Sequence, residues 1–284
     1  MLWFHSCANH LVYEFMQTYL TIIAALLYAS CLFVPARGRG LISFIIVLGW
    51  CAHGAALWLE VSSPLGIRLG FAMMLSCALW ISVLAYWLES WQLPLDGLRF
   101  LVLPGAAIQV LLPQFFPGQL IAIADKPSLF PWHIAVAMLA YSTLTIAAFH
   151  AVLMALQEAR LRNSTVFFSR GWMGAVLERL PALLLMERIL FRLVFIGFVL
   201  LSLTVVSGLV FSKEVFGVAF KWDHKTIFTL LSWLLFGVLL GGRKWRGWRG
   251  KTALSLTLTG FATLLMAYVG SRFVLEVILH RSFL

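Results

Sequence analysis

Residues 189–211 read ILFRLVFIGFVLLSLTVVSGLVF, an apolar run with a single charge near its start, Arg192, and this run decides the fold. A helix needs about 20 apolar residues to cross roughly 30 Å of hydrocarbon, and this run is long enough. Only helices and closed barrels satisfy their own backbone groups in lipid, and a barrel strand would alternate apolar and polar residues. The run is therefore predicted to be a transmembrane helix.

Seven further runs of this kind make the chain a polytopic membrane protein. Hydrophobic residues form 62% of the 284 residues and charged residues only 11%, whereas soluble domains carry about 25% charged residues. We predict an all-α fold, a single membrane domain over 1–284 with eight transmembrane helices. The predicted spans are 17–35, 41–59, 68–88, 98–116, 131–157, 189–211, 225–241 and 253–279.

Basic residues concentrate in the loops that follow the first, third, fifth and seventh spans, which all lie on one side. That side holds 14 of the 21 Lys and Arg residues. The positive-inside rule makes it cytoplasmic, so both termini, with a tail at 1–16, are predicted outside, in the periplasm. The net charge of +10 then reflects topology, and no nucleic acid partner is expected. The 14 residues are Arg37, Arg39, Arg99, Arg160, Arg162, Arg170, Arg179, Arg188, Arg192, Arg243, Lys244, Arg246, Arg249 and Lys251.

Two cytoplasmic connections have distinctive compositions. The connection at 158–188 places aromatic and aliphatic residues at helical spacing among charges over 163–188, which indicates an amphipathic surface helix or else an ordinary polar loop. The segment 241–251 alternates cations with tryptophan. It is interpreted as an interfacial anchor, or as a contact for acidic lipid headgroups or a partner.

His53 and His133 are the histidines most relevant to function. His53 lies in the outer half of the second span, where an ionisable group is by default a functional candidate. A neutral imidazole also serves as a hydrogen-bonding group between helices, and both interpretations stay open. His133 opens the fifth span beside Trp132, as a site residue or an interfacial histidine. His150 lies roughly 25 Å further along that helix, so it cannot share a metal with His133.

The predicted outer loop at 212–224 is rich in aromatic residues. Phe216, Phe220 and Trp222 recur beside Lys221 and Asp223. Such rings can cover a flat hydrophobic ligand. The alternative is an aromatic belt in which Asp223 caps the next helix, because Asp is a favoured N-cap residue.

This loop resembles the tryptophan-rich W-G-x-x-W-x-W-D motif of cytochrome c assembly proteins. Gly217, Trp222 and Asp223 match the motif, whereas Phe216 and Phe220 replace tryptophans. The run from His133 to 157 and the segments 245–251 and 267–274 also resemble this superfamily, especially the CcsA-like or HemX-like inner membrane branch called YpjD. The resemblance covers most of the chain and implies a bacterial inner membrane location.

The resemblance implies haem as cofactor, held near the outer face, with histidines near the motif as axial ligands. His133 matches the histidine that precedes the motif, and His53 is the candidate second ligand to haem iron. Phe216, Gly217, Phe220, Trp222 and Asp223 would complete the haem site. The protein would bind and orient haem rather than make bonds, alongside membrane lipid and cytochrome c maturation components or another inner membrane protein.

Two other function classes are set beside haem handling. A non-catalytic scaffold or accessory subunit of the same fold would account for the replaced tryptophans. A transporter would place ionisable groups near the bilayer midplane of several spans, and the sequence contains few. We therefore rank haem handling first, the scaffold second and the transporter third.

Overall fold

The computed structural model describes residues 2–35, 38–61, 67–92, 98–121, 130–162, 182–216 and 223–270. Within these residues the chain forms eight α-helices, one short antiparallel pair of β-strands and a terminal π-helical turn, Met266–Gly270. The helices are α1 Leu2–Ser30, α2 Arg39–Val61, α3 Phe71–Gln92, α4 Arg99–Phe115, α5 Phe130–Arg162, α6 Leu183–Phe216, α7 His224–Arg246 and α8 Gly250–Leu265. The predicted helical architecture is confirmed.

Five helices are long and apolar enough to cross a membrane within the described ranges. The corresponding segments are Arg39–Glu60, Phe71–Trp91, Trp132–Leu161, Leu183–Val210 and His224–Arg246. A shorter apolar helix covers Val102–Phe115. The chain is therefore a helical membrane protein.

Helix limits differ from the predicted spans mainly at the ends. The helix α1 begins at Leu2, so the predicted tail at 1–16 continues the helix, and it ends at Ser30 rather than at 35. Helix α5 continues to Arg162, and helix α6 begins at Leu183. Both ends of the predicted 158–188 connection are therefore helical. Residues 163–181, with most of the predicted amphipathic helix, lie outside the described residues.

The helices pack as two groups that meet along α3 and α5. In the first group α1 packs against α2 and α4, and α3 against α4; in the second, α5 packs most extensively against α6, and α8 against α5 and α7. A small residue allows close approach at the α5–α6 contact, because a Cβ at Gly197 would lie 2.5 Å from Leu144 Cδ2.

The two strands lie in two loops that the sequence predicts on the same side of the membrane. Strand β1, Ile67–Leu69, follows α2, and strand β2, Gln119–Ile121, follows α4. They pair antiparallel with Arg68 opposite Leu120. We call this the motif end of the bundle, because α6 ends and α7 begins there, and we call the other end, with Arg162 and Arg246, the basic end.

Helices α2 and α3 are joined by polar side chains along much of their length. Trp50 Nε1 donates to Trp80 O at 3.1 Å, and Trp80 Nε1 donates to Trp50 O at 2.9 Å. The two indole rings stack with centroids 4.6 Å apart. Further along, Trp87 Nε1 donates to Ser43 Oγ at 2.7 Å. These bonds fix the register of the two helices.

Candidate functional site

His133 lies near the start of α5, at the motif end, and is partly buried against α6. Its Nδ1 shares a hydrogen bond of 2.7 Å with Ser207 Oγ. The Ser207 hydroxyl donates to Thr204 O at 3.1 Å. A hydroxyl has one proton, so with that proton given to Thr204 the Nδ1–H of His133 donates to Ser207. The lone pair of the neutral imidazole then lies on Nε2.

This arrangement resembles that of metal-ligating histidines. Such residues almost always use their second ring nitrogen to donate to a carbonyl, carboxylate or water, which fixes the tautomer and the ring orientation. The oxygen of Ser207 plays that part for His133. The neighbouring Gly208 contributes no side chain beside the ring, since a Cβ there would lie 3.6 Å from His133 Cε1.

His53 occupies a different environment, fully buried among three helices. Its Nε2 shares a 2.8 Å hydrogen bond with Ser76 Oγ of α3, and its Nδ1 a longer one of 3.4 Å with Tyr28 Oη of α1. The Tyr28 and His53 rings meet edge to face with centroids 5.9 Å apart. Both ring nitrogens are engaged by side chains of neighbouring helices, as the interhelical hydrogen-bonding interpretation of His53 expects.

The two histidines contact different helices and lie at different depths. His53 is seven residues before the end of its apolar segment at Glu60, and His133 is one residue after the start of its segment at Trp132. At about 1.5 Å per residue the difference in depth is roughly 9 Å. Two nitrogens that bind one iron on opposite faces are about 4 Å apart. His53 as the second ligand stays a prediction, and it requires the exchange of at least the Ser76 contact.

Asp223 caps α7, as the second interpretation of the aromatic loop predicted. Its Oδ1 accepts hydrogen bonds from Thr226 N and from Thr226 Oγ1, both at 2.8 Å. Partial burial raises the pKa of this carboxyl, but the two Thr226 hydrogen bonds and the nearby Lys225 and His224 outweigh it, so the pKa lies below its ordinary value. Asp223 therefore remains a carboxylate and completes the helix start.

The remaining motif residues are only partly covered by the structure. Phe216 is the last residue of α6, nine residues beyond Ser207, or roughly 13 Å of helix. Gly217, Phe220 and Trp222 lie outside the described residues. The motif loop therefore starts from the same helix that orients His133. Over the described ranges no cluster of three or more His, Cys, Asp or Glu side chains has the arrangement of a metal site.

Sequence reasoning did not identify Tyr28, Ser76 and Ser207, the partners of the two histidines. Small hydroxyl residues are common in membrane helices, and only the rotation of each helix decides which of them meets a histidine. His150 is buried, and its Nδ1 contacts Ile146 O of its own helix at 3.1 Å.

The fold and the site together define a polytopic membrane protein. Its His133 is hydrogen-bonded to Ser207 of α6, the helix that ends at the motif residue Phe216. The family model described as cytochrome C assembly protein matches residues 18–279. The chain belongs to the cytochrome c assembly protein family.

Three relatives illustrate this membership. The inner membrane protein YpjD of Escherichia coli (strain K12) is 31% identical over 173 residues, which cover 61% of this chain and 62% of that protein. The cytochrome c biogenesis protein CcsA of Thermosynechococcus vestitus is 28% identical over 166 residues, 49% of this chain and 52% of the relative. The CcsA of Trichodesmium erythraeum is 34% identical over 93 residues, 33% of this chain and 26% of the relative. This chain is a multi-pass inner membrane protein.

Proposed function

We propose that this chain binds haem at its motif end, with Nε2 of His133 as an axial ligand, and presents it for cytochrome c assembly. The observation that carries the proposal is the hydrogen bond between His133 Nδ1 and Ser207 Oγ, which holds the ring at the start of α5, at the motif end, against the helix that leads to Phe216. The cytochrome c biogenesis names of the CcsA relatives support the same cofactor. Bound haem would supply the iron porphyrin, and the chain would supply its binding and orientation.

The fit of the residues to haem differs between the two histidines. The ring of His133 is held through Nδ1 by Ser207, whereas both ring nitrogens of His53 are hydrogen-bonded to Ser76 and Tyr28. We propose Phe216, Gly217, Phe220 and Trp222 as the face that covers the porphyrin. Asp223 would hold the end of that face in place through its cap on α7.

The spectrum of the purified chain tests this proposal. Full-length protein from haem-replete cells is expected to show a Soret band, and His133→Ala is expected to lose it. The matched control is His10→Ala, which removes a histidine outside the proposed site and should keep the band. A wild-type protein without a Soret band, or a His133→Ala variant that retains it, would contradict the ligand assignment.

Ser207→Ala tests the orienting role separately. Loss of the residue that orients a metal ligand typically weakens metal binding by about 10- to 100-fold, so this variant should lose haem during washing more readily than wild type. Ser202→Ala serves as control, because Ser202 lies on the same helix and bonds Trp233 instead. Equal haem retention in wild type and Ser207→Ala would exclude the orienting role.

A scaffold or accessory subunit without haem is the second candidate. The engaged nitrogens of His53 favour it, as do the phenylalanines at the motif tryptophans. It predicts a stoichiometric membrane partner, such as a maturation component, that co-purifies with a haem-free chain. Haem in the purified chain that depends on His133 would exclude it.

We further propose that all eight helices cross the membrane, which places both termini and the motif end in the periplasm. The basic residues of the odd-numbered loops support this orientation. The pairing of β1 with β2 also supports it, because it brings two predicted periplasmic loops together. Reporter fusions after residue 284 should signal a periplasmic location, and fusions at residue 36 a cytoplasmic one. The opposite pattern would reverse the orientation.

A further inference from the structure

A groove runs along α7 at the basic end, away from the histidine sites. Its volume is about 400 Å³. The walls are tryptophans and aliphatic residues, and three glycines leave room between them. The lining residues are Trp233, Leu234, Gly237, Val238, Gly241, Gly242, Trp245, Arg246 and Trp248. Along the helix, Trp233 and Trp245 are separated by a rise of roughly 18 Å, close to the roughly 15 Å depth of one leaflet.

The turn at the end of α7 positions the Trp248 ring as one wall of the groove. Gly247 adopts a left-handed conformation with φ 67°, and its N–H and that of Trp248 both donate to Gly242 O. This turn brings the Trp248 ring back over Gly242, where a Cβ would lie 2.1 Å from Cε3 of the indole. Glycine is therefore required at 242, and the indole has a fixed place beside the groove.

Some of the basic residues near the groove pair with an acidic residue and others do not. Glu187 of α6 accepts from Arg249 Nε at 2.9 Å and pairs with Arg243 Nη1 at 2.6 Å. Arg243 also donates to Trp248 O at 3.2 Å and lies over the Phe191 ring. Across the described part of the chain, the exposed Lys244, Arg246 and Lys251 have no acidic partner. The mouth of the groove thus has excess positive charge.

We propose that this groove binds one anionic phospholipid, with an acyl chain over Gly237 and Gly241 and the phosphate beside Arg246. Tryptophan and arginine side chains are suited to the headgroup level, with the apolar part toward the hydrocarbon and the polar part toward water. The apolar lining below them matches a lipid tail. The excess positive charge at the mouth complements a negative headgroup.

A second copy of the chain fits the groove less well. Gly237 and Gly241 have the spacing of a helix-pairing motif, so close approach of another α7 is sterically reasonable. A parallel copy, however, would place a second set of Lys244, Arg246 and Lys251 against the first. Like charges at that distance repel, whereas an anionic lipid neutralises them.

Native mass spectrometry of the full chain in neutral detergent tests the proposal with two probes, phosphatidylglycerol and phosphatidylcholine of identical acyl chains. Each basic residue near an anionic headgroup strengthens association by about fivefold. Wild type should therefore prefer phosphatidylglycerol at least about fivefold, and Arg246→Gln should lower that preference about fivefold. Arg192→Gln, which removes an exposed cation of α6 outside the groove, should leave it unchanged.

Two variants fill the groove and should abolish binding of both lipids. Gly241→Leu places its Cβ 3.4 Å from the Trp245 ring, and Val238→Trp occupies the same space from a partly exposed position. Equal affinity of wild type for the two lipids would overturn the proposal, and so would unchanged binding in both filling variants. A wild-type dimer that either filling variant converts to monomer would assign the groove to a second copy instead.

Discussion

The two groups of helices each contain a histidine in an apolar helix, but the two residues are held in opposite ways. In the first group His53 is buried completely and shares both nitrogens with side chains of α1 and α3. In the second group His133 is partly buried, and one nitrogen is fixed by a hydroxyl that itself donates to a carbonyl. The first joins three helices, and the second is held against α6 at the motif end.

The difference shows that position in an apolar span does not by itself assign a histidine to a cofactor. What distinguishes the two is the burial of the ring and its depth in the bilayer. A buried imidazole without partners would be costly, and His53 has a hydrogen bond at each ring nitrogen. Near the end of a span, the loop beyond can bring a ligand to the ring.

Chemical rescue would give the largest contrast between the two histidines. His133→Gly should lose haem completely, and added imidazole should restore a Soret band by entering the vacated space. His53→Gly should keep haem without imidazole, because its ring joins helices. The measurement is the Soret absorbance of purified protein with and without imidazole. If haem binding in His53→Gly instead required imidazole, His53 would be a haem ligand and not only a residue that joins helices.

Packing in the first group should be the next most sensitive property. A Cβ at Gly54 would lie 2.9 Å from Cζ2 of Trp80, so Gly54→Ala would push the stacked tryptophans apart and cost about 1–3 kcal/mol. Gly105→Ala is the matched control, because the nearest atom to its Cβ is Leu79 Cδ1 at an ordinary 3.6 Å. Thermal unfolding in detergent compares the two. Equal destabilisation would show that the tryptophan contact is not tight.

Removal of the His53 hydrogen bond should have a smaller effect on stability. Interhelical hydrogen bonds in membrane proteins contribute about 0.6 kcal/mol on average and up to about 1.7 kcal/mol. Ser76→Ala should therefore lower the unfolding free energy by that amount without changing the Soret band. Ser90→Ala is a control, because that hydroxyl bonds only within its own helix, to Trp87 O. A lost Soret band in Ser76→Ala would connect the first group to haem.

The cap of α7 should produce a comparably small effect that depends on pH. The pKa of Asp223 is lowered in the folded state, so its stabilisation is complete above the ordinary Asp value of about 4 and is lost as pH falls through the lowered pKa. Asp223→Ala should cost about 1 kcal/mol at neutral pH. Asp223→Asn should keep most of the cap and lose its pH dependence. Identical acid unfolding curves for wild type and Asp223→Asn would contradict this assignment.

The sequence predicts most helices because a membrane span depends on one continuous apolar run. The start of α1 was not predictable in this way, since residues 2–16 include polar and charged side chains and helical structure there needs no apolar block. Asp223 was predictable as a cap because its partner is three residues away. The partners of His53 and His133 lie 23 and 74 residues away, and only helix rotation brings them together.

The exchange of hydrogen bonds between Trp50 and Trp80 has a mechanical consequence. Each indole N–H donates to the backbone carbonyl of the other tryptophan, so the two bonds lie at the same level of α2 and α3. A shift of α3 along α2 by one turn, about 5.4 Å, would break both bonds at once. The pair therefore resists sliding of α3 along α2.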